Sequence, residues 1–176
     1  AARKPIVGRG VLVDLWAAYK SEPGPVAVDL AMLKEAMPVQ PEQGDILVLH
    51  TGFSDMLIEM GGSPDVARLR TGTIALEGRD GALLDWITKS GVVAIAADNF
   101  AVEAYPARPP DHVPAPELPL HEHCLFKQGI LLGELWNLGT LARALAAQGR
   151  SRFFLSAPPL NLPGAVASPL TPVGLL

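Results

Sequence analysis

Glycine and proline interrupt this chain so often that only short helices and strands fit between them. Each of the two residues occurs 17 times in 176 positions, and both tend to end regular structure. Between them lie compact apolar runs typical of buried strands, which alternate with segments whose apolar residues recur at helical spacing. The chain is therefore predicted to be a mixed α/β protein built from many short elements.

Strands are predicted over 10–16, 46–50, 92–97, 130–135 and 152–156. Helices are predicted over 28–37, 53–60, 82–89, 121–127 and 140–148. The prolines between Ala104 and Leu120 indicate an extended surface loop. Several connections are too short for crossovers between parallel strands, so a mixed sheet with flanking helices is expected. Neither a linker nor a repeat divides the chain, which predicts one domain over residues 1–176.

Composition narrows the class of protein. Hydrophobic residues make up 49% of the chain and charged residues 18%, which excludes intrinsic disorder. The formal net charge of −4, without any Lys/Arg run, argues against nucleic-acid binding. The apolar runs are too short for a membrane span, Ala1–Pro5 lacks the apolar stretch of a signal peptide, and the single Cys124 fits a reducing compartment. A cytoplasmic protein is expected, with some apolar surface covered by a partner or a further segment.

The best local candidate for a metal site is a group of histidines and carboxylates late in the chain. His112, His121 and His123 lie close together in sequence, and Glu134 follows among leucines. A carboxylate in such apolar surroundings needs a partner or a metal. If the segment is helical, His121 and His123 point about 200° apart and cannot both bind one ion. The alternative is that these residues only cap and solvate the start of a helix.

Three further polar residues are candidates for a site. Asp98 ends an apolar strand and Glu103 follows it, and acidic residues at strand ends commonly line ligand sites in α/β folds. The alternative is turn formation, in which Asp98 or Asn99 hydrogen-bonds to its own backbone. His50 closes another strand and could serve as a base or ligand, or have a purely structural role.

Seven segments, taken in order, resemble the metal-dependent cyclase/hydrolase family, which includes bacterial kynurenine formamidase and isatin hydrolase. The segments are Arg9–Leu15, Pro41–Gly52, Gly91–Asp98, Leu118–Cys124, Gly129–Leu135, Phe153–Leu160 and Leu162–Pro169. The resemblance therefore covers essentially the whole chain. It implies a swivelling β/β/α fold of the cyclase type.

The resemblance also implies a function. It implies metal-dependent hydrolysis of an amide, formamide or lactam bond in a small molecule, with the arylformamidase step of tryptophan catabolism, N-formylkynurenine to kynurenine, as the reference reaction. The cofactor is a divalent ion, Zn or Mn. His121 and Glu134 match the positions of two metal ligands, whereas His123, Glu103, Asp98 and His50 are expected to line the pocket or support the ligands. A homodimer or higher homo-oligomer is expected.

One departure from the family pattern bears on activity. The family signature H-x-G-T-H-x-D, which supplies the other ligands and the catalytic base, does not occur in this sequence. It normally precedes the segment with which this chain begins. We therefore expect that this chain lacks an N-terminal segment and contains no catalytic residue of its own. By itself it is expected to be inactive and to bind metal weakly. The alternative is a non-catalytic scaffold of the same fold, used for binding or assembly.

Overall fold

A computed structural model describes residues 6–176; residues 1–5, which bear on the signal-peptide prediction, lie outside it. The strands are β1 (Ile6–Asp14), β2 (Val26–Val28), β3 (Ile46–His50), β4 (Ile74–Leu76), β5 (Ala94–Ala97), β6 (Leu131–Gly133), β7 (Arg152–Ala157) and β8 (Val173–Leu175). The α-helices are α1 (Leu15–Tyr19), α2 (Leu30–Ala36), α3 (Phe53–Met60), α4 (Val66–Thr71), α5 (Gly81–Ser90), α6 (Pro119–His121) and α7 (Gly139–Ala147). A π-helix spans Glu122–Gln128. Within the described part, none of these helices has the length and apolar character needed to span a membrane.

Six strands form one mixed sheet in the order β6-β5-β3-β1-β7-β8. Its first four strands are parallel, whereas β7 runs antiparallel to β1 and β8 antiparallel to β7. The parallel strands are joined by helical crossovers, as parallel pairing requires. This arrangement confirms the predicted mixed α/β fold with flanking helices.

Apolar residues fill both faces of the central strands, because successive side chains of a strand point to opposite faces. The residues packed with α2 and α5 include Val13, Leu47, Ile95, Leu33 and Ile87. The residues packed with α7 include Leu12, Val48, Ala96, Leu145 and Trp136. Coverage on both sides explains why β3 and β5 consist of uninterrupted apolar residues rather than an alternating pattern.

Two aspartates shift predicted boundaries by capping helices. Asp14 accepts a hydrogen bond from the Ala17 amide at 2.9 Å, so the predicted strand 10–16 ends at residue 14 and Trp16 lies in α1. Asp29 accepts one from the Met32 amide at 2.9 Å. The predicted helix 28–37 therefore begins only after Asp29, at α2. Each cap satisfies amide groups that have no partner inside the helix.

Five elements were not predicted from the sequence, namely α1, β2, α4, β4 and β8. β4 pairs with β2 in a separate two-stranded parallel sheet, but its three residues are too few to show a periodicity. α4 buries none of its residues, so it has no apolar face to reveal it. β8 lies in the proline-rich tail and is held by its antiparallel pairing with β7.

The carboxyl ends of the four parallel strands meet at one edge of the sheet, where open α/β sheets bind their ligands. β1 ends at Asp14 and β3 at His50, which are paired in register. Asp98 directly follows β5, and Glu134 directly follows β6. The topology thus brings three of the predicted site residues to one edge.

Part of the apolar surplus lies on the surface. Val7, Phe154, Val173 and Leu175 are exposed, and they share one face of β1, β7 and β8 because residues paired across strands point the same way. That a partner or further segment covers apolar surface stays a prediction.

Candidate functional site

His121 lies where α6 changes into the π-helix. α6 starts with Pro119, which suits the first turn of a helix because proline has no amide to satisfy. The π-helix ends at Gly129, whose φ of 69° is in the left-handed region that glycine favours. The predicted helix over 121–127 is therefore present in a wider winding, and such windings frequently occur at functional sites.

Glu103 holds His121 in position through hydrogen bonds. Its carboxylate is fully buried, with 0% of the side chain exposed. It accepts hydrogen bonds from the amides of Leu120 and His121, both at 2.9 Å, and from His121 Nδ1 at 2.8 Å. The three bonds satisfy a buried charge that would otherwise be very costly. They also fix the direction of the imidazole ring, since its backbone and its side chain are held by the same group.

The other ring nitrogen of His121 faces Glu134. Nε2 lies 2.9 Å from Glu134 Oε1, and the two side chains are 22% and 36% exposed. The expectation that Glu134 is buried among leucines is therefore wrong, because its position just after β6 turns the carboxylate outward. The expectation that it has a partner is met by His121.

Two carboxylates determine the charge of His121. The hydrogen bond to Glu103 raises the pKa of His121 above its usual range, burial works against this effect, and the hydrogen bond to Glu134 adds to it. The two carboxylates therefore favour the protonated ring more than in a histidine without such partners. Glu103, His121 and Glu134 together form a cluster, here called the His121 cluster.

The His121 cluster opens into a cavity of about 1430 Å³. One wall comes from the β6 region, including Leu131, Leu135 and Trp136, and the opposite wall from the segment between β7 and β8, including Leu160 and Leu162. Sequence reasoning did not predict the second wall. The only sequence signal for this wall is that the tail contains apolar residues although it shows neither helical nor strand periodicity.

His123 lies away from this cavity. Its Nε2 is 2.9 Å from the Thr88 hydroxyl on α5, and it is absent from the residues that line the cavity in the described part of the chain. The winding after α6 thus separates His121 from His123, in keeping with the geometric expectation that both cannot bind one ion.

Asp98 is completely buried and joins β5 to the start of α3. It accepts hydrogen bonds from the Thr51 amide at 2.6 Å and hydroxyl at 2.7 Å, and from the Ser54 amide and hydroxyl at 3.3 and 3.2 Å. Of the two residues considered for a turn interaction, Asn99 makes it, because its side chain accepts a hydrogen bond from the Val102 amide at 2.8 Å. Asp98 does not line the cavity.

His50 pairs with Asp14 across β1 and β3. Its Nδ1 lies 2.8 Å from Asp14 Oδ1, while its buried Nε2 has no hydrogen-bond partner among the described residues. Burial lowers the pKa of His50, but the hydrogen bond to Asp14 and the negative charges of Asp98, Asp14 and Asp55 outweigh it, so the net shift is upward. Like Asp98, His50 does not line the cavity.

This pair makes stability depend on pH. Because the pKa of His50 is raised on folding, its contribution is fully present below the unfolded-state value of about 6.5 and is lost as the pH rises through the folded-state value. We expect the free energy of unfolding to fall as the pH rises above about 6.5 by more in the wild type than in His50→Gln, as measured by urea denaturation. The exposed-histidine variant His112→Gln should keep the wild-type dependence. Equal pH dependence in wild type and His50→Gln would contradict this assignment.

The His121 cluster has the donor chemistry of a metal site. A histidine ligand commonly binds metal with one nitrogen while a carboxylate holds the other, which is how Glu103 holds His121. Nε2 and the adjacent Glu134 oxygen are suitable donors for a divalent ion. A catalytic zinc needs three protein ligands, however, and no three His, Cys, Asp or Glu side chains within 6–176 are grouped to hold an ion. The described residues thus provide two fitting donors.

Comparison with known proteins assigns the family. The Cyclase family model matches residues 1–104, which is more than half of the chain. The chain belongs to the Cyclase family. This confirms the resemblance drawn from the sequence segments, and a crystal structure described as a novel cyclase supports it, with 32% identity and a TM-score of 0.77.

Other solved structures have the same fold as this Cyclase family member but are less similar to it in sequence. A predicted metal-dependent hydrolase from Bacillus stearothermophilus is 17% identical, with a TM-score of 0.61 over 96% of this chain and 63% of that chain. Isatin hydrolase A from Ralstonia solanacearum is 16% identical, with a TM-score of 0.64 over 96% of this chain and 60% of that chain. At these identities the likeness shows a shared fold.

The match to the novel cyclase covers 97% of this chain and 54% of that chain. The chain therefore spans little more than half the length of this relative. No curated protein matches the chain.

Proposed function

We propose that this Cyclase family protein takes part in metal-dependent hydrolysis of an amide, formamide or lactam bond, with arylformamidase chemistry as the reference reaction. The observation that carries the proposal is the His121 cluster, in which His121 Nε2 and Glu134 Oε1 lie 2.9 Å apart and both residues line a cavity. The chain contributes two ligands, and donors beyond this pair complete the site. The names of the metal-dependent hydrolase and the isatin hydrolase support the same chemistry.

The overall reaction is a simple exchange of bonds. Water adds its oxygen to the carbonyl carbon, the carbon–nitrogen bond breaks, and the nitrogen takes a proton, which yields a carboxylic acid and an amine. A bound Zn²⁺ or Mn²⁺ supplies Lewis acidity that polarises the carbonyl and makes water more acidic. His121 and Glu134 would hold the ion, and apolar residues around Trp136 line the cavity beside them.

Glu103 acts through His121 in this proposal. Its hydrogen bond to Nδ1 keeps the proton on that nitrogen, so that Nε2 would be the nitrogen available to a metal ion. The two backbone amides bonded to the same carboxylate prevent the ring from rotating away. Such supporting carboxylates raise metal affinity by about 10- to 100-fold.

Metal binding tests the ligand assignment without depending on turnover. We expect Mn²⁺ to bind weakly to wild-type protein, and Glu134→Gln to bind it about tenfold or more weakly still, as measured by the electron paramagnetic resonance signal of free Mn²⁺. Glu22→Gln, at an exposed position distant from Glu134 in sequence, is the matched control and should keep wild-type affinity. Unchanged affinity in Glu134→Gln would show that Glu134 is not a ligand.

A non-catalytic scaffold is the second candidate. The observation that favours it is the presence of only two suitable donors in the described part of the chain. Assays of formanilide and N-formylkynurenine with Mn²⁺ or Zn²⁺, using the longest polypeptide that contains this sequence, distinguish the two. Metal-dependent release of formate supports the hydrolase; its absence together with unaltered metal binding by Glu134→Gln supports the scaffold.

A further inference from the structure

Two residues next to the His121 cluster have a backbone conformation that most side chains disfavour. Val102, which precedes Glu103, has a φ of 59°, and Leu135, which follows Glu134, has a φ of 55°. This left-handed region is sterically unfavourable for branched and bulky residues, and residues held in it cluster at functional sites. Each carboxylate that contacts His121 therefore has a strained neighbour in the chain.

Asn99 holds both strained residues by their amides. Its side-chain Oδ1 accepts a hydrogen bond from the Val102 amide at 2.8 Å, and its backbone carbonyl accepts one from the Leu135 amide at 2.9 Å. Asn99 is only 1% exposed, so water does not replace it as an acceptor. It thereby connects the two segments of chain that carry Glu103 and Glu134.

A third hydrogen bond fixes Asn99 to the small two-stranded sheet. Its Nδ2 donates to the backbone carbonyl of Ile74, on β4, at 3.0 Å. The same strand holds the other end of the turn, because the Leu76 amide donates to the Val102 carbonyl at 3.0 Å and the Ala104 amide donates to the Leu76 carbonyl at 2.8 Å. Residues 99–104 are thus attached to β4 at both ends.

The side-chain amide of asparagine matches what its surroundings require. Ile74 presents a carbonyl, which needs a donor, and Val102 presents an amide, which needs an acceptor; asparagine provides one of each. Aspartate provides the acceptor without the donor, and alanine provides neither. Because a buried polar group without a partner is costly, loss of this side chain favours relaxation of the turn out of its strained conformation.

We propose that Asn99 is a positioning residue of the His121 cluster, which fixes the backbone beside Glu103 and Glu134 so that the two carboxylates reach opposite nitrogens of one imidazole ring. Those contacts are 2.8 Å long at Nδ1 and 2.9 Å long at Nε2. The use of this arrangement in metal binding rests on the proposed function, whereas the positioning itself requires no metal.

Amide hydrogen exchange tests the positioning in the metal-free protein. In Asn99→Ala we expect the amides of His121 and Leu135 to exchange at least about tenfold faster than in the wild type, beyond what the global stability of the variant accounts for. Thr51→Val removes a different buried hydrogen bond, to Asp98, and should leave both amides at the wild-type rate after the same correction. Unchanged exchange in Asn99→Ala overturns the proposal.

A pair of variants at an exposed position tests the strain even if Asn99→Ala does not fold. Leu135 is 57% exposed, and glycine adopts a positive φ more readily than alanine does. We expect Leu135→Gly to be more stable than Leu135→Ala by at least about twofold in the equilibrium constant of unfolding, although glycine is the less stable of the two inside ordinary helices and strands. An alanine variant as stable as the glycine variant would mean that Asn99 does not hold this residue in a strained conformation, and would overturn the proposal.

A double-mutant cycle connects Asn99 to metal binding. We expect Asn99→Ala to weaken Mn²⁺ binding by about tenfold, and Asn99→Asp, which keeps the acceptor for Val102, to weaken it less. In a Glu134→Gln background the loss from Asn99→Ala should be smaller, because the ligand that it positions is already altered. The control Thr51→Val should bind Mn²⁺ as the wild type does, although it is also destabilised.

The outcomes of the cycle separate this inference from the proposed function. Wild-type Mn²⁺ affinity in Asn99→Ala, or a loss fully additive with that of Glu134→Gln, overturns the role of Asn99. Absence of Mn²⁺ binding in the wild type refutes the proposed function instead. In that case, faster exchange in Asn99→Ala still supports the positioning role, and unchanged exchange still refutes it.

Discussion

Replacing Glu103 with alanine is expected to lower the free energy of unfolding by about 3–5 kcal/mol. The carboxylate is fully buried, and it is the acceptor for two backbone amides and for His121 Nδ1. Alanine leaves these donors without a partner in a region closed to water, and each such loss is costly. Urea denaturation of wild type and Glu103→Ala measures the difference.

Two variants show whether the loss comes from the hydrogen bonds. Glu103→Gln keeps one acceptor oxygen but turns an amide group toward the remaining donors, so we expect a loss smaller than that of alanine. Glu117→Gln removes a charge from an exposed position of the neighbouring loop and should change stability by less than about 0.5 kcal/mol. A loss in Glu103→Ala no greater than in Glu117→Gln would mean that the carboxylate does not hold α6 in place.

Elements bounded by clear local signals were predictable from the sequence. α3 has the predicted bounds because Gly52 and Gly61, both with positive φ, flank a segment whose apolar residues recur at helical spacing. β3 and β5 were found because strands buried on both faces consist of continuous apolar residues. The family resemblance then gave the overall architecture, which the shared fold of the novel cyclase confirms.

Elements and contacts that depend on distant parts of the chain were not predictable. β4 is a strand only because β2 is available to pair with it. Glu103 and His121 are 18 residues apart in sequence, and nothing local shows that the loop between them brings them together. The resemblance suggested the pairing of His121 with Glu134, but the outward direction of Glu134 follows from the end of β6, which only the sheet defines.

Asp98, like Glu103, is a buried carboxylate that accepts several hydrogen bonds, although none of them comes from a histidine. We expect Asp98→Ala to destabilise the protein by about 3 kcal/mol or more. The carboxylate is entirely buried, and the amides and hydroxyls of Thr51 and Ser54 all donate to it. These four donors lie at the junction of β3 and α3. Their simultaneous loss therefore loosens the packing of α3 at the carboxyl edge of the sheet, which urea denaturation and amide hydrogen exchange of residues 51–54 can both detect.

Graded variants separate a hydrogen-bond effect from a simple loss of volume. Asp98→Asn preserves the shape but exchanges one acceptor for a donor, so it should cost less than alanine. Thr51→Val removes a single hydroxyl donor and should cost about 1 kcal/mol, while Asp111→Asn, on an exposed side chain, should have almost no effect. If Asp98→Asn were as stable as wild type, packing alone would account for Asp98. A graded loss of stability with faster hydrogen exchange at residues 51–54 would instead identify Asp98 as the group that holds β3 and α3 together. Asp98 would then have a structural role near His50 rather than a role in the cavity.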